Sequence, residues 1–485
     1  MMNETGKTPL IKALDKNQKL RSIPFHMPGH KRGTGAGKGF ARLMKTDPFS
    51  LDLTEVPGLD DLHNPCGPIK EAQAAAAGLF GAEQTFFLVN GTSVGIHAAI
   101  MSICKPNDVI LLPRDVHRSV IGACILSGAR PEYLPARVSS EFFIPLPPTA
   151  QDVKEALGKY EKVKAILQVY PSYYGIAGNL KEIADLAHSH KVPLIVDEAH
   201  GAHFAFSSRL PAPALKQGAD ISVQSTHKTL GALTQASMLH INSRLVSGAE
   251  VFRHLKILQS TSPSYLLMAS LDAVVGQMER AGKTLMEKTV DHAIRVRREI
   301  MRIPGLQCLD EKVGANEGGF VYDPTKLYIS FKGIGLTGYQ AARILRKKYK
   351  IQVELSDLYN VLCMLSYGNT ADDTGSLVRA LVEMAAVKRP PLKLNHNFNF
   401  SFNPLVIMTP REAWFAPRKR IPMREAVGQV AAEIFAPYPP GIPLLCPGEA
   451  ITRELVEIII SMKAQSCSFH GPGDPSLETV EVIAN

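Results

Sequence analysis

The chain has 485 residues, of which 45% are hydrophobic and 20% charged, which is ordinary for a soluble globular protein with a large core. No apolar run reaches the roughly 18 residues that a membrane span needs, and the polar N-terminus lacks the apolar stretch of a secretory signal. The seven cysteines show no paired short spacing, so we expect no zinc site, no disulfide framework and a reducing cytoplasm. The formal charge of +9 is spread along the chain, which favours a solvated basic surface over a nucleic-acid site.

From about residue 67 to 245, apolar strands alternate with helical segments. The predicted helices include residues 69–81, a helix that begins at Thr92 and is capped by Thr92 or Ser93, and residues 180–190. The predicted strands are residues 85–89, 108–113, 163–170, 192–196, 221–224 and 236–241. Near-continuous apolar strands separated by helices indicate a parallel-rich sheet covered on both faces, which is an α/β doubly wound domain.

One long helix over about 265–300 follows, and we expect it to cross to a second domain. That domain is predicted to be α+β, with strands at 326–331, 352–355 and 361–365 and helices at 337–348 and 371–387. The chain then breaks at the two prolines of 388–391 and becomes irregular at 395–399. The proline-rich run 437–443 excludes a helix or a central strand, because proline lacks the backbone donor and fixes φ. The predicted divisions are an N-terminal segment (1–66), a large domain (67–265), a small α+β domain (266–389) and a C-terminal domain (390–485).

Asp197 comes directly after the apolar strand 192–196. In open α/β sheets, ligands bind outside the carboxyl ends of the strands, so this carboxylate is a candidate for a ligand site. Its position predicts partial burial, which requires a cationic partner. A protonated pyridine nitrogen would be such a partner, while an aspartate that caps a turn is the alternative.

Lys228 follows the next predicted strand, 221–224. Alone, a lysine in this place is usually a surface residue. Here Ser225 and Thr226 offer hydroxyls and His227 an imidazole, which together suit a phosphate. A lysine that forms a Schiff base, with an acidic partner for the ring nitrogen, is the arrangement that pyridoxal phosphate requires. The sequence therefore predicts a pyridoxal-phosphate enzyme.

Two further strand ends carry candidate cofactor contacts. Gly91, Thr92 and Ser93 lie in a strand-to-helix turn, where glycine lets the backbone approach and the helix N-terminus offers free N–H groups to a phosphate. The turn lacks the P-loop and dinucleotide glycine patterns, and many helices begin with such residues. His117 has a flat ring that would stack on a cofactor, or it is a helix-starting histidine without a function.

A metal site at His200 and His203, with Glu198 nearby, is the competing interpretation of this region. The HExxH spacing of a zinc enzyme is absent and no third ligand is evident. We therefore expect no metal.

Five motifs, in order along the chain, resemble the bacterial ornithine/lysine/arginine decarboxylases of pyridoxal-phosphate fold type I. They are FHMPGHK (25–31), NGTSVG (90–95), DEAHGAHF (197–204), QSTHK (224–228) and YPPGIPLLCPGE (438–449). The resemblance covers nearly the whole chain and fits the short members, which lack an extra N-terminal regulatory domain. It implies that Lys228 carries the cofactor and that Asp197 pairs with the pyridine nitrogen.

The same resemblance implies roles for the neighbouring residues. Ala199 packs on the cofactor ring, His117 stacks on the other face, and His200 lies close to the phenolic oxygen and the substrate. The implied phosphate contacts are Thr92, Ser93, Ser225 and His227, with Gly91 in the same turn. It also implies a homodimer or higher homo-oligomer with active sites at the subunit interface, and we expect neither a nucleic-acid nor a membrane partner.

The activity implied by the resemblance is decarboxylation of a basic L-amino acid, as part of polyamine supply. Arginine is favoured over lysine and ornithine, because residues 355–360 (LSDLYN) resemble the short arginine-specific members. A carboxylate must bind the distal cation of such a substrate, and Glu354 and Asp357 are the candidates. They are separated by an odd number of positions and therefore point to opposite faces of a strand. We favour Asp357, which lies past the strand end, although both are equally explained as surface acids in a turn.

Two alternatives from other classes stay open. One is a pyridoxal-phosphate aminotransferase, for which Arg379 or Arg411 would be the carboxylate clamp. The other is a non-catalytic homologue that binds the cofactor or a partner protein. Retention of Lys228, Asp197 and His117 together argues against the second alternative.

Overall fold

A seven-stranded sheet forms the centre of the computed structural model, which describes residues 9–311, 320–390, 392, 405–438, 441–464 and 467–484. Every strand pairing in it is parallel except the two that Ser237–Ile241 makes with its neighbours. In spatial order the strands are Gln84–Leu88, Ser237–Ile241, Ile221–Gln224, Leu194–Asp197, Val163–Val169, Val109–Leu112 and Arg130–Tyr133. The predicted parallel-rich α/β sheet is confirmed. Arg130–Tyr133 was not predicted, because its sequence RPEY is polar and contains a proline, as is typical of an edge strand.

Both faces of this sheet are buried, and successive residues of one strand show it. Val109 and Leu111 belong to one apolar core, while Ile110 and Leu112 belong to the other. The first core is covered by Pro68–Phe80, Ala150–Lys159, Leu180–Ser189 and part of the long helix described below. The second is covered by Gly91–Ile103, Arg118–Ser127 and Gly248–Leu258. This three-layer arrangement confirms the doubly wound interpretation.

The long helix is Tyr265–Met301, capped by Ser264, whose side chain accepts from the Leu267 N–H. Its buried apolar residues up to Val290 pack in the first core, and the buried ones from Ala293 onward pack in a separate core. The helix therefore crosses between two packing units, as predicted. The second unit has a four-stranded antiparallel sheet and two main helices: Gln307–Cys308, Lys326–Ser330, Asn360–Met364 and Leu355–Ser356, with Gly338–Tyr349 and Ala371–Ala386.

The predicted strand 352–355 is instead two short strands that meet at Glu354. Ile351–Val353 pairs in parallel with Ile23–Phe25 of the N-terminal segment, whereas Leu355–Ser356 pairs with Asn360–Met364. The side chain of Glu354 accepts from the Met27 N–H at 2.8 Å, which ties the N-terminal segment to this point. The predicted domain divisions stay predictions, but residues 23–25 pack with the small unit.

The described C-terminal residues form a small core of their own around Phe435 and Leu455. Pro437 lies in a two-stranded ribbon and not in the central sheet, as the proline-rich run predicts; residues 439–440 and the predicted irregular stretch 395–399 lie outside the described residues. The C-terminal elements are Pro410–Phe415, Arg418–Pro422, Ala436–Tyr438, Arg453–Ala464, Ser468–His470 and Thr479–Ile483. The remaining regular elements of four or more residues are Pro9–Leu20, Lys38–Leu43, Pro48–Leu51, Ala214–Gln217 and Thr226–Thr229. None of the described helices is both long and apolar enough to cross a membrane.

A buried ion pair joins the C-terminal residues to the large sheet. Arg114 donates to Glu449 in two parallel bonds, Nη1 to Oε1 at 2.7 Å and Nη2 to Oε2 at 3.0 Å. The two side chains are 10% and 2% exposed. The same guanidinium donates to the Leu444 carbonyl at 3.0 Å. Such a pair holds the two units in one relative position, because each charge is left unsatisfied if the units separate.

We expect Arg114→Met to lower the free energy of unfolding by about 3–5 kcal/mol, because it leaves the Glu449 carboxylate buried without its cation. Urea unfolding followed by circular dichroism measures this change. Arg420→Met is the matched control, since Arg420 pairs with Glu481 at 3.0 Å but is 51% exposed. Its loss should be below about 1 kcal/mol. Equal losses in the two variants would contradict a structural role for the buried pair.

Candidate active site

Asp197 and Lys228 lie at the carboxyl ends of two adjacent parallel strands. Asp197 is the last residue of Leu194–Asp197 and pairs in register with Val223, five positions before Lys228. Asp197 is 6% exposed, and burial raises the pKa of its carboxyl group while the nearby Lys228 charge opposes that rise. Burial lowers the pKa of Lys228, with Asp197 and then Glu354 opposing the shift. The lysine is therefore biased toward its neutral, nucleophilic amine.

The free side of the Asp197 carboxylate is suited to a cationic N–H donor. Oδ1 accepts from the Ala199 N–H at 3.1 Å. Oδ2 accepts no hydrogen bond from the described residues, and this oxygen is not fully enclosed, so it stays accessible to a ligand. A protonated pyridine nitrogen would satisfy this oxygen and the charge. The residues present therefore fit the pyridine ring of pyridoxal phosphate.

A cluster of hydroxyls lies at the N-terminus of the helix Gly91–Ile103. The predicted cap is wrong: Asn90 occupies the cap position without a side-chain cap bond, and the hydroxyl of Thr92 contacts Ser225 and, at 2.9 Å, Ser237. Gly91 has φ +77°, which glycine adopts without strain and which lets the backbone turn into the helix. Ser93 is half-buried in the first turn. Hydroxyls beside free helix N–H groups fit a phosphate group.

The imidazole of His227 borders this region, and its Nδ1 donates to the Ala236 carbonyl at 2.9 Å. Burial lowers the pKa of His227 to about 4. The neutral ring then has no proton on Nε2, so it becomes a donor to a phosphate only if the phosphate charge raises this pKa. Ser237, in contrast, was not predicted, and its one sequence signal is a serine at the start of an otherwise apolar strand.

His117 caps the helix Arg118–Ser127 and also borders the site. Its Nδ1 accepts from the Ser119 N–H at 3.2 Å. Burial, with the charge of Lys228, lowers the pKa of His117 to about 3, so the ring is neutral. Gly441 lies against the ring, where an added Cβ would be 3.6 Å from its Cδ2, and the Arg118 N–H donates to the Gly441 carbonyl at 3.3 Å. C-terminal residues thus support the histidine that was predicted to stack on the cofactor.

His200 lies between two lysines. Its Nε2 is 3.1 Å from Lys228 Nζ, and its Nδ1 is 2.9 Å from Lys326 Nζ. Tyr173 packs on the imidazole with a centroid distance of 4.5 Å. Burial, followed by the charges of Lys228 and Lys326, holds the pKa of His200 well below its usual value. Lys326 and Tyr173 were missed by sequence reasoning, because Lys326 starts a strand of the small unit and no local pattern links it to the large sheet.

The residues of the alternative metal interpretation contact other groups of the protein. His203 pairs with Asp323 at 3.1 Å, and Glu198 accepts from the Ala214 N–H, from Ser222 and from Gln224. In the described ranges, no three His, Cys, Asp or Glu side chains are grouped so as to hold a metal ion.

Of the two candidate substrate carboxylates, Glu354 lies beside the lysines. Its Oε1 accepts from the Tyr173 hydroxyl, and its charge acts on Lys228 and Lys326. Asp357 accepts instead from the Tyr328 hydroxyl and from the N–H groups of 359 and 360, at 2.8 and 2.9 Å. The strand breaks at Glu354, and Asp357 closes the next turn. A substrate role for either carboxylate stays a prediction.

Neither candidate for an aminotransferase clamp is directed at this site. Arg411 Nη1 donates to the carbonyls of Ile125 and Leu126, at 3.0 and 2.8 Å. Arg379 is exposed and donates to Ser376 on its own helix at 2.9 Å. The described contacts of these two arginines therefore give no support to transamination.

Comparison with known proteins places this geometry in context. Residues 8–373 match the family model of the Orn/Lys/Arg decarboxylase major domain, and residues 394–473 match that of the C-terminal domain. An arginine decarboxylase of Bacillus anthracis is 40% identical over 98% of this chain and 97% of its own length. A lysine decarboxylase of Pseudomonas aeruginosa is 27% identical over 93% and 75%. The structure of the E. coli constitutive lysine decarboxylase superposes with a TM-score of 0.77 at 22% identity, covering 98% of this chain and 82% of that one, which confirms the predicted fold.

Proposed function

Because this chain belongs to the ornithine/lysine/arginine decarboxylase family, we propose that it uses pyridoxal phosphate to decarboxylate L-arginine to agmatine and carbon dioxide. The observation that supports this reaction is the position of Lys228 just past the end of one strand and of the buried Asp197 at the end of the adjacent strand. One oxygen of the Asp197 carboxylate is hydrogen-bonded and the other is free to bind a ligand. The choice of arginine is supported by the relative named arginine decarboxylase, at 40% identity, against 27% for the one named lysine decarboxylase. L-Lysine and L-ornithine are the alternatives.

Each residue of the site has a defined task in this proposal. Bound pyridoxal phosphate supplies the electron sink for the pair of electrons that carbon dioxide leaves behind. Lys228 holds the cofactor through its amine, and Asp197 keeps a proton on the pyridine nitrogen. The neutral ring of His117 would cover one face of the pyridine ring, and Ala199 would cover the other. His200 presents an imidazole nitrogen to the same lysine, 3.1 Å from Nζ.

The phosphate is held by the helix start at Gly91, together with Thr92, Ser93, Ser225 and His227. Three of these five residues lie in the first turn of one helix, where the backbone N–H groups are free and the dipole favours an anion. The contacts of Thr92 with Ser225 and Ser237 hold the hydroxyls together before a ligand arrives.

Glu354 is the carboxylate that we propose for the distal guanidinium. Hydrogen bonds from the Met27 N–H and the Tyr173 hydroxyl fix both of its oxygens in place, and each keeps a lone pair for a further donor. Arginine can meet two such oxygens with two N–H groups, whereas the lysine ammonium is a point charge.

We expect Glu354→Gln to lower kcat/KM for arginine by about 10- to 100-fold, and by less for lysine, because a bond to a charged group contributes about 1.5–3 kcal/mol. Asp357→Asn is the matched control and should leave the arginine-to-lysine ratio unchanged. Steady-state kinetics on both substrates decide. A changed ratio in Asp357→Asn alone would restore the order expected from the sequence, and an unchanged ratio in both variants would place the distal carboxylate elsewhere.

We also propose that the protein is a cytoplasmic homodimer or higher homo-oligomer that acts in polyamine supply. Phe49 is 87% exposed, and Leu53, Val56 and Leu59 nearby are also exposed, which is typical of a surface that another subunit covers. All seven cysteines are unpaired, as expected in a reducing compartment. Sedimentation of the loaded protein tests the oligomeric state, and a monomer at the working concentration would contradict it.

Incubation of the purified protein with pyridoxal phosphate and each basic amino acid tests the function. We expect carbon dioxide and agmatine from arginine, with lower kcat/KM for lysine and ornithine. Formation of a keto acid without carbon dioxide would indicate transamination, and the absence of any product would indicate a non-catalytic homologue.

A further inference from the structure

Lys326 is a second buried lysine in the site, and none of the roles above involves it. Lys326 is 0% exposed, and it is the first residue of the strand Lys326–Ser330 of the small unit. From there Nζ reaches Nδ1 of His200, on the loop that follows Asp197 in the large sheet, at 2.9 Å. The other ring nitrogen of His200 is 3.1 Å from Lys228 Nζ. One imidazole therefore bridges two lysines that come from different packing units.

This bridge restricts where protons can be. A neutral imidazole carries one N–H and offers one acceptor nitrogen, while a lysine ammonium donates only. If Lys326 is the ammonium, Nδ1 must accept, and the proton of His200 is then on Nε2 and points at a neutral Lys228. If Lys228 is the ammonium, the arrangement is reversed. Two ammonium groups would leave both ring nitrogens as acceptors, which a neutral imidazole does not allow.

The surrounding carboxylates favour the first arrangement. Lys326 is faced by Asp323 and then by Glu354. Asp323 is 0% exposed, and it stays close because Oδ1 accepts from the Thr325 N–H at 2.9 Å and from the Thr325 hydroxyl at 2.7 Å. Burial lowers the pKa of Lys326 to about 8, so this lysine still carries its proton at neutral pH. Lys228 is faced by Asp197 and then by Glu354, and the charge of Asp197 is shared with the pyridine nitrogen once the cofactor is bound.

We propose that Lys326 is a positioning residue: its ammonium fixes the proton of His200 on Nε2 and keeps the imidazole a neutral donor directed at the nitrogen of Lys228. The proposal rests on the proposed function only in taking Lys228 as the cofactor lysine. Tyr173 completes the arrangement, since its ring packs on His200 and lies 5.9 Å from Lys326 Nζ and 6.0 Å from Lys228 Nζ.

The expected effect of removing this charge follows from the groups that face His200. These groups are Lys228, Lys326, His117, His227 and the ring of Tyr173. Lys326 alone among them contacts Nδ1 in the described structure. Without its ammonium, His200 loses a like charge and the donor to Nδ1. Its pKa should then rise, and its proton should distribute over both nitrogens.

The protein loaded with pyridoxal phosphate and labelled with ¹⁵N-histidine provides the test, with the His200 signals assigned from a His200→Gln variant. In the wild type we expect a single Nε2–H form of His200 at about pH 6 to 7, below the pKa of about 8 at which Lys326 loses its proton. Lys326→Met should show Nδ1–H or a mixture, with a pKa of His200 higher by about one unit or more. Lys326→Arg should retain Nε2–H, because a guanidinium also only donates. Lys347→Met removes an exposed lysine of the same unit and should match the wild type.

Asp323→Asn is a second variant in case Lys326→Met does not fold. It keeps the shape but removes the carboxylate that holds the ammonium, and it should weaken the Nε2–H preference in the same direction. In the loaded enzyme, Lys326→Met should shift the midpoint of the pH titration of the cofactor absorbance and lower kcat more than it raises KM. Lys326→Arg should reverse both changes in part.

Two outcomes would overturn the proposal: an Nδ1–H form of His200 in the wild type, or an unchanged Nε2–H form in both Lys326→Met and Asp323→Asn. The tautomer is measured in the loaded protein without substrate. If the Nε2–H form is lost when Lys326 is replaced by methionine, that result supports this inference even if the protein decarboxylates none of the basic amino acids.

Discussion

Lys228→Ala should lose its covalent link to pyridoxal phosphate and more than about 10³-fold of its turnover, because no other amine occupies the end of the strand Ile221–Gln224 in the described structure. The pKa of the Lys228 amine is lowered by burial, with Asp197 opposing the shift. Absorbance spectra and borohydride reduction of both proteins measure the link, and carbon dioxide release measures turnover.

Lys216→Ala is the control for this variant, because Lys216 is an exposed lysine of the same sheet unit. It should keep the covalent cofactor and the wild-type rate. A Lys228→Ala protein that still yields a reducible cofactor link, for example at Lys326, would show that the cofactor lysine was assigned wrongly.

Asp197→Asn is expected to reduce kcat by about 10²–10³-fold while the cofactor stays bound. Asparagine keeps the shape and can still accept from the Ala199 N–H, but it has no charge to hold a proton on the pyridine nitrogen. Because the carboxylate is 6% exposed, water does not replace that charge. Asp185→Asn, an exposed substitution on the helix Leu180–Ser189, should have no effect. Near-normal turnover in Asp197→Asn would exclude the proposed contact.

The sequence predicts the part of the site that depends on local signals. Asp197 and Lys228 follow apolar strands, and the carboxyl ends of parallel strands meet at one edge of a sheet, so their proximity followed from two strand assignments. The long helix was likewise evident from its uninterrupted pattern over residues 265–300.

Other features depend on contacts between distant segments. The strand Ile23–Phe25 pairs with Ile351–Val353, and no local pattern indicates that pairing. Lys326 reaches His200 only because the small unit packs against the large sheet. The break of the strand at Glu354 was missed for a related reason: alternation along one continuous strand does not apply where the strand breaks to receive the N-terminal segment.

The covalent position of the cofactor is the most direct test of this account. Wild-type protein loaded with pyridoxal phosphate, reduced with borohydride and digested should yield one pyridoxyl-labelled peptide, which contains the sequence Ser225-Thr226-His227-Lys228 with the label on Lys228. A label on Lys326, on Lys31 or on any other lysine, or no label at all, would contradict it.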